Sequence, residues 1–345
     1  MPPIYFDIEA LAELQKLIQQ IENQGRRLFM LCDENTCLHC LPKLNNSTPL
    51  PSFELITVPA GESSKTIATA CKIWGQLLEK EADKESVLLC LGGGMITDLG
   101  GFTAAAFKRG MDCIFVPTSL MAQVDAAIGG KNALNFNHAK NQIGLFYPPK
   151  AIFIFPQFLQ TLPCNEILSG YAEMLKHGLI ADRDYWHLVK NSKLTAQITD
   201  IEYIKKSVEI KTAICLRDEK EANLRKKLNF GHTVGHALEA FFLSKNTPLS
   251  HGEAVAMGML AESHLSWQTG LLNANSLTEI THCLLEKFVF PKVYREDYQE
   301  ITQFLHADKK RRNQQLNFTF LEQIGVSVIH QQATETQIVK ALEFL

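Results

Sequence analysis

The chain has 345 residues, 46% of them hydrophobic, and its 34 Lys and Arg against 37 Asp and Glu leave a net charge of −3. That is enough apolar chain for a large core over two domains, and so balanced a charge gives no bulk attraction to nucleic acid. No run of about 18 apolar residues is present, which argues against a membrane-spanning helix. The opening MPPIYFDIEALAELQ has neither the basic nor the apolar region of a signal peptide.

Along the chain, RRLFMLC, FELITVP, SVLLCLG, DCIFVP and AIFIF are short runs rich in Val, Ile, Leu and Phe, and each reads as a buried strand. Amphipathic stretches such as Glu62–Lys80 lie between them, so the first 160 residues predict βαβ units around a mostly parallel sheet. From about Leu162 the period changes to 3.6 through EILSGYAEMLKHGLI, YIKKSVEIKTAICL, HTVGHALEAFFL and GEAVAMGMLAESHLSW. That half, 161–345, is expected to be mainly helical, with the soft boundary near 155–165. A cleft between two such domains is a usual place for a ligand.

The nine cysteines are scattered and read as reduced thiols of a cytoplasmic protein. CDENTCLHC holds Cys32, Cys37, His39 and Cys40, enough ligands for zinc. Cys32 ends an apolar run, however, and no second CxxC pair follows, so buried thiols are the expectation.

Gly92, Gly93 and Gly94 follow the third strand run and open a small-residue helix, a place where backbone N–H groups can meet a phosphate. The pattern is not G-x-G-x-x-G, and a tight turn with close helix packing explains it equally well. Asp98, one turn on, suits a ribose hydroxyl or simply the helix N-terminus. Asp125, Lys131, Asn135, Lys140 and Asn141 then stand among apolar residues and glycines where a plain surface loop would not need them.

In the helical half, Glu173 and Lys176 lie three apart on an otherwise apolar stretch, where a carboxylate wants a partner or a metal. Glu221, Arg225, Asn229, His232 and His236 would form one polar stripe on a continuous helix. DEKEAN and Asn229-Phe230-Gly231 can both break it, so only the His232–His236 spacing is secure. These two histidines at i and i+4 permit a shared metal, but Thr233 replaces the glutamate of the H-E-x-x-H peptidases. With Glu173 and His251 there are four candidates for three ligand positions, and spacing does not say which is left over. The basic run around residues 205–227 is interleaved with acids and lacks aromatic residues, a poor nucleic-acid surface. Lys211 and Arg225 are its candidates for turning inward.

In order, GGGMITDLGGFTAAAFKRG, PTSLMAQVDAAIGGKNALN, KNQIGLFYPPK, TLPCNEILSGYAEMLKHGLI, LRKKLNFGHTVGHALE, HGEAVAMGM and DKK-x(5)-NFTFL resemble the 3-dehydroquinate synthases, a family of sugar-phosphate cyclases. The resemblance implies an α/β fold, with a Rossmann-like NAD domain at 1–160 and a mainly helical metal- and substrate-binding domain at 161–345, in a cytoplasmic homodimer. It implies Glu173, His232 and His251 as ligands of a divalent metal, zinc or cobalt, with His236 and Glu221 in acid–base roles. Arg109, Asp125, Lys131, Asn141, Lys176, Lys211, Arg225, Asn229 and a lysine of Lys309-Lys310 are implied around a sugar phosphate, with Lys131, Lys176 and Arg225 also catalytic. NAD is implied at Asp33, Asn35, Glu62, Lys65, Gly92, Gly93, Gly94, Asp98, Thr118, Ser119, Lys140, Phe158 and Thr161. The implied reaction is transient oxidation by NAD, phosphate elimination, reduction and aldol closure to 3-dehydroquinate. Two residues depart from the family pattern: Asn132 where threonine is usual, and Phe155 where aspartate is common. Another sugar-phosphate cyclase and a metal-dependent polyol dehydrogenase are the competing readings.

Overall fold

The structure is a computed structural model that describes residues 1–48, 50–137, 139–193, 198–310 (side chains to 306) and 316–345. The chain divides into two compact units, one of residues 1–163 with 199–208, the other of residues 164–198 with 209–345.

The first unit runs β1 (Ile4–Phe6), α1 (Asp7–Asn23), β2 (Leu28–Asp33), α2 (Glu34–His39), α3 (Leu41–Ser47), β3 (Phe53–Val58), α4 (Ile67–Glu79), β4 (Val87–Gly92), α5 (Gly94–Ala106) and β5 (Asp112–Pro117). A hairpin of β6 (Lys131–Phe136) and β7 (Ala139–Phe146) follows, and β8 (Ile152–Ile154) closes the unit. Six strands form one sheet in the order β1-β8-β5-β4-β2-β3, every pair parallel. All residues of β2, of β4 and of β8 are buried. Strands covered on both faces read as unbroken apolar runs, which is why these were visible in the sequence. β1 has three residues and carried no signal.

The polar stretch after Gly130, whose composition carries no strand signal, is the antiparallel hairpin. Asn132 is buried at its base and donates from Nδ2 to the carbonyls of Gly130 (3.1 Å) and Tyr147 (2.8 Å). Phe155, just after β8, is buried in the same core cluster as Ala10, Leu14 and Phe153, edge-on to Phe158. Burial pushes the Cys32 thiol up to about 12, and among the described residues Cys32, Cys37, His39 and Cys40 form no group of three ligand atoms within 4.8 Å of one another.

The second unit contains α6 (Cys164–Ala181), α7 (Arg183–Lys190), the end of α8 (Ile201–Arg217), α9 (His232–Ser244), α10 (His251–Gln268), α11 (Ala274–Lys287), α12 (Tyr298–Lys310), a hairpin of β9 (Phe318–Gln323) and β10 (Val326–Gln331), and α13 (Glu335–Glu343). The hairpin interrupts a half read as mainly helical. α8 ends at Arg217 and α9 begins at His232, so the 221–236 stripe is not one helix. Three helices meet where small residues let them. A Cβ on Gly252 of α10 would stand 2.3 Å from Ser169 Cα of α6, and one on Gly258 would stand 1.8 Å from the carbonyl oxygen of Gly231 and 2.7 Å from Gly235 N of α9. Backbone-to-backbone approach of this kind fixes α6, α9 and α10 tightly against one another.

Candidate functional site

In the second unit the side chains of these three helices converge. Glu173, 1% exposed, stands on α6 with its Oε1 3.5 Å from His232 Nε2 and 3.4 Å from His251 Nε2. Its Oε2 is paired with Lys176, which is equally buried on the next turn. Each histidine is the first residue of its helix. His251 follows Ser250, whose hydroxyl accepts from Glu253 N while the Glu253 carboxylate accepts from Ser250 N, a local capping box. His232 follows Gly231, which has no side chain to cap with.

The protonation of this cluster bears on what it can hold. His232 Nδ1 lies 3.2 Å from the carbonyl oxygen of Phe230, which can only accept, so Nδ1 carries the proton. Burial, with the Lys176 cation second, outweighs the Glu173 carboxylate and holds His232 well below its usual value, so the ring is neutral at neutral pH. Its Nε2 lone pair then faces a carboxylate lone pair. Two acceptors facing one another repel unless a cation lies between them. Ligands about 2.1 Å from a tetrahedral zinc stand about 3.4 Å apart, which matches the two measured separations. A carboxylate and two imidazoles fit a divalent metal of the zinc type, with the Phe230 carbonyl fixing the tautomer from behind.

Among the described residues a second set within the unit, His236, Glu239 and His251, also brings its ligand atoms within 4.8 Å of one another. His236 is exposed, with its ring 5.3 Å from that of His232 and 6.4 Å from that of His251.

Between α8 and α9 the basic loop folds on itself. The Asp218 carboxylate accepts from the N–H groups of Ala222, Asn223 and Arg225 at 2.7–3.0 Å, hydrogen bonds that hold it below the usual carboxylate range. The buried Arg225 side chain donates to the Glu219 carbonyl. Glu221, in left-handed backbone conformation, accepts from Asn229 Nδ2 at 3.2 Å. Lys211 is buried. The Lys309 and Lys310 side chains lie outside the described residues.

In the first unit, β2 and β4 are neighbours while β3 lies outside β2, so the sheet order reverses between them. Ligands of open α/β sheets bind outside the carboxyl ends of strands at such a point. Asp33 ends β2, Gly92 ends β4, and Thr118 and Ser119 follow β5, with Thr118 N donating to Gly92 O. Asp33 also caps α2 by accepting from Thr36 N, and Asn35 lies in that first turn. Lys65 is buried, 2.5 Å from the Asp98 carboxylate and 2.7 Å from Asn141 Oδ1. Asp98, the fifth residue of α5 and so beyond its first turn, is therefore an ion-pair partner rather than a helix N-terminal acid. Glu62 accepts from Asn135. Phe158 is core and lies in the 3-10 turn Pro156–Thr161, which Thr161 ends. Asp125 sits in a π-helical turn, and Arg109, Lys131, Lys140 and Asn141 are exposed.

Sequence reasoning missed Asp218 and Glu262. Glu262 is fully buried on α10, and its carboxylate accepts from Gly231 N (2.8 Å) and Val234 N (3.0 Å). The only signal for it was an acid inside an apolar helix.

Models of the 3-dehydroquinate synthase N-terminal and C-terminal domains match residues 55–169 and 170–311. The chain belongs to the 3-dehydroquinate synthase family. A 3-dehydroquinate synthase from Parabacteroides distasonis is 38% identical over 341 residues, covering 96% of this chain and 94% of that protein. Among solved structures, 2-epi-5-epi-valiolone synthase from Streptomyces hygroscopicus with NAD+ and Zn2+ bound superposes with a TM-score of 0.84 at 24% identity, covering 99% and 96% of the two chains. A 2-deoxy-scyllo-inosose synthase complexed with carbaglucose-6-phosphate, NAD+ and Co2+ gives 0.83 at 22% identity over 98% and 95%. The parallel six-stranded unit followed by a helical one is thus the fold shared by 3-dehydroquinate synthases and these cyclases.

Proposed function

We propose that the protein converts 3-deoxy-D-arabino-heptulosonate 7-phosphate into 3-dehydroquinate and phosphate, the cyclisation step of the shikimate route to aromatic amino acids, with NAD and a divalent metal as cofactors. What carries the reading is the convergence of Glu173, His232 and His251 in a chain matched by this family's models from residue 55 to 311. Glu173, His232 and His251 would hold the metal, and the carboxyl ends of β2, β4 and β5 would hold NAD. When bound, NAD supplies a reversible hydride acceptor and the metal a Lewis acid for neighbouring substrate hydroxyls.

The protein's own groups supply the rest. Lys176 neutralises the second oxygen of Glu173, so the ligand carboxylate is not an uncompensated buried charge. Arg225, Lys211 and Lys176 are buried cations suited to a substrate with two anionic groups, a carboxylate and a phosphate. Arg109, Asp125, Lys131, Asn141, Asn229 and a lysine of 309–310 are further proposed contacts. His236, left out of the Glu173 cluster and open to solvent, exchanges a proton with the reacting hydroxyl. Glu221, steadied by Asn229, is a second proton acceptor. With NAD as a reversible hydride acceptor, the net change would be loss of phosphate and ring closure with no net oxidation. We further propose a cytoplasmic homodimer with no nucleic-acid or membrane partner.

The test follows phosphate release from the heptulosonate phosphate and NADH absorbance in one cuvette. Phosphate release with catalytic NAD and no accumulating NADH is the expected result. Steady NADH formation on a polyol with no phosphate released would instead make the protein a metal-dependent polyol dehydrogenase.

A further inference from the structure

α9 begins without a cap of its own. In the usual capping box the N-cap side chain accepts from the third helical N–H, and the third side chain accepts from the N-cap N–H. Here the N-cap is Gly231 and the third residue is Val234, and neither side chain can accept a hydrogen bond. Gly231 is required on two counts. Its φ is +79°, and a Cβ would stand 2.6 Å from Met259 Cγ and 3.0 Å from both Met259 N and Val255 O. The close approach of α10 that forbids a local cap also provides a distant one. Val255, Gly258, Met259 and Glu262 are spaced 3, 1 and 3 along α10, on the one face that meets the start of α9. Glu262 Oε2 accepts from Gly231 N at 2.8 Å and Oε1 from Val234 N at 3.0 Å. One fully buried carboxylate performs both halves of the capping box.

The residue between those two amides that matters chemically is His232, the first of the helix. Its ring is held from behind by the Phe230 carbonyl and faces Glu173 in front. We propose that Glu262 is a positioning residue for the metal centre, fixing the first turn of α9 so that His232 Nε2 meets the same point as Glu173 Oε1 and His251 Nε2. The proposal rests on Glu173, His232 and His251 being the metal ligands.

Zinc affinity by competition with a chromophoric chelator, and the visible spectrum of the cobalt-loaded protein, test it on the full chain. In Glu262→Gln one of the two amides faces an NH2 group whichever way the side chain turns. The variant is expected to bind zinc about 10- to 100-fold more weakly, the scale for groups that orient ligands, and to show displaced cobalt bands. Glu262→Asp keeps the charge but is one methylene too short to reach both amides, so it should fall between wild type and Glu262→Gln. It carries the test if the glutamine variant does not fold. Either folded variant with wild-type affinity and an unchanged cobalt spectrum, whatever its melting temperature, would overturn the proposal and leave Glu262 a purely structural cap. Failure of the underlying ligand reading looks different: a His232→Ala variant would then keep its metal, as it would if His236, Glu239 and His251 were the ligands.

Discussion

Gly258→Ala should dismantle the centre without touching a ligand. The added methyl would lie 1.8 Å from the Gly231 carbonyl oxygen and 2.7 Å from Gly235 N, whereas ordinary contact begins at 3.4 Å. Both obstacles are backbone of α9, so no rotamer relieves them, and α9 must move off α10 by about 1.6 Å to reach that contact. Metal-ligand distances tolerate about 0.2 Å, so a shift of this size separates His232 from His251 by far more than the site can absorb. Overpacking of this kind costs about 1–3 kcal/mol, and backbone on both sides puts it at the upper end, about 3 kcal/mol. Elemental analysis after gel filtration, thermal melting and the phosphate-release assay give the readout. We expect a lowered melting temperature, metal well below one equivalent and activity reduced at least about 100-fold, the scale on which a misplacement of about 1 Å acts. Gly75→Ala is the control. It lies in α4 with nothing within 4 Å of its added Cβ, and should be neutral or more stable by up to about 1 kcal/mol. A Gly258→Ala protein with wild-type melting and a full metal complement would refute the reasoning that glycine contacts set the ligand geometry.

His251→Ala should lose metal and activity together, whereas His236→Ala should keep its metal and lose rate; an empty site in His236→Ala would favour the His236, Glu239 and His251 set as the ligands. Asn132→Thr, which restores the residue usual in the family, should lower stability by about 1–2 kcal/mol by thermal melting, because the Tyr147 carbonyl loses its donor from Asn132. Glu279 of α11 gives a pH-dependent case. Burial raises its carboxyl, but hydrogen bonds from Lys190 (2.6 Å) and Trp186 (2.7 Å), with the charges of Lys190 and His187, outweigh this and hold it below its ordinary 4.5. A depressed carboxyl contributes stability above its unfolded value and loses it as pH falls through the folded one. Glu279→Gln should therefore cost about 0.5–1 kcal/mol in urea melts at pH 7, with the deficit shrinking below pH 4.5. A deficit that stayed constant to pH 3 would show that the carboxylate charge is not the cause.

Much of this was written locally in the chain. Strands buried on both faces appear as LFMLC and VLLCLG whatever surrounds them, and the capping box of α10 lies within Ser250–Glu253, so its start is legible. The hairpins were not. β7 has four exposed residues before any alternation and buries none, and β9–β10 turn at Gly325 inside a stretch dominated by helices, so neither gave a strong period. The spacing of His232 and His236 placed both on one helical face and stopped there. Only the packing of α6, α9 and α10 turns His232 and His251 toward Glu173, and only Glu262, 28 and 31 residues away from the amides it caps, completes the start of α9. Periodicity and caps are properties of a few neighbouring residues. Ligand geometry depends on how closely distant backbones approach, and that is decided by the glycines' surroundings in the folded chain.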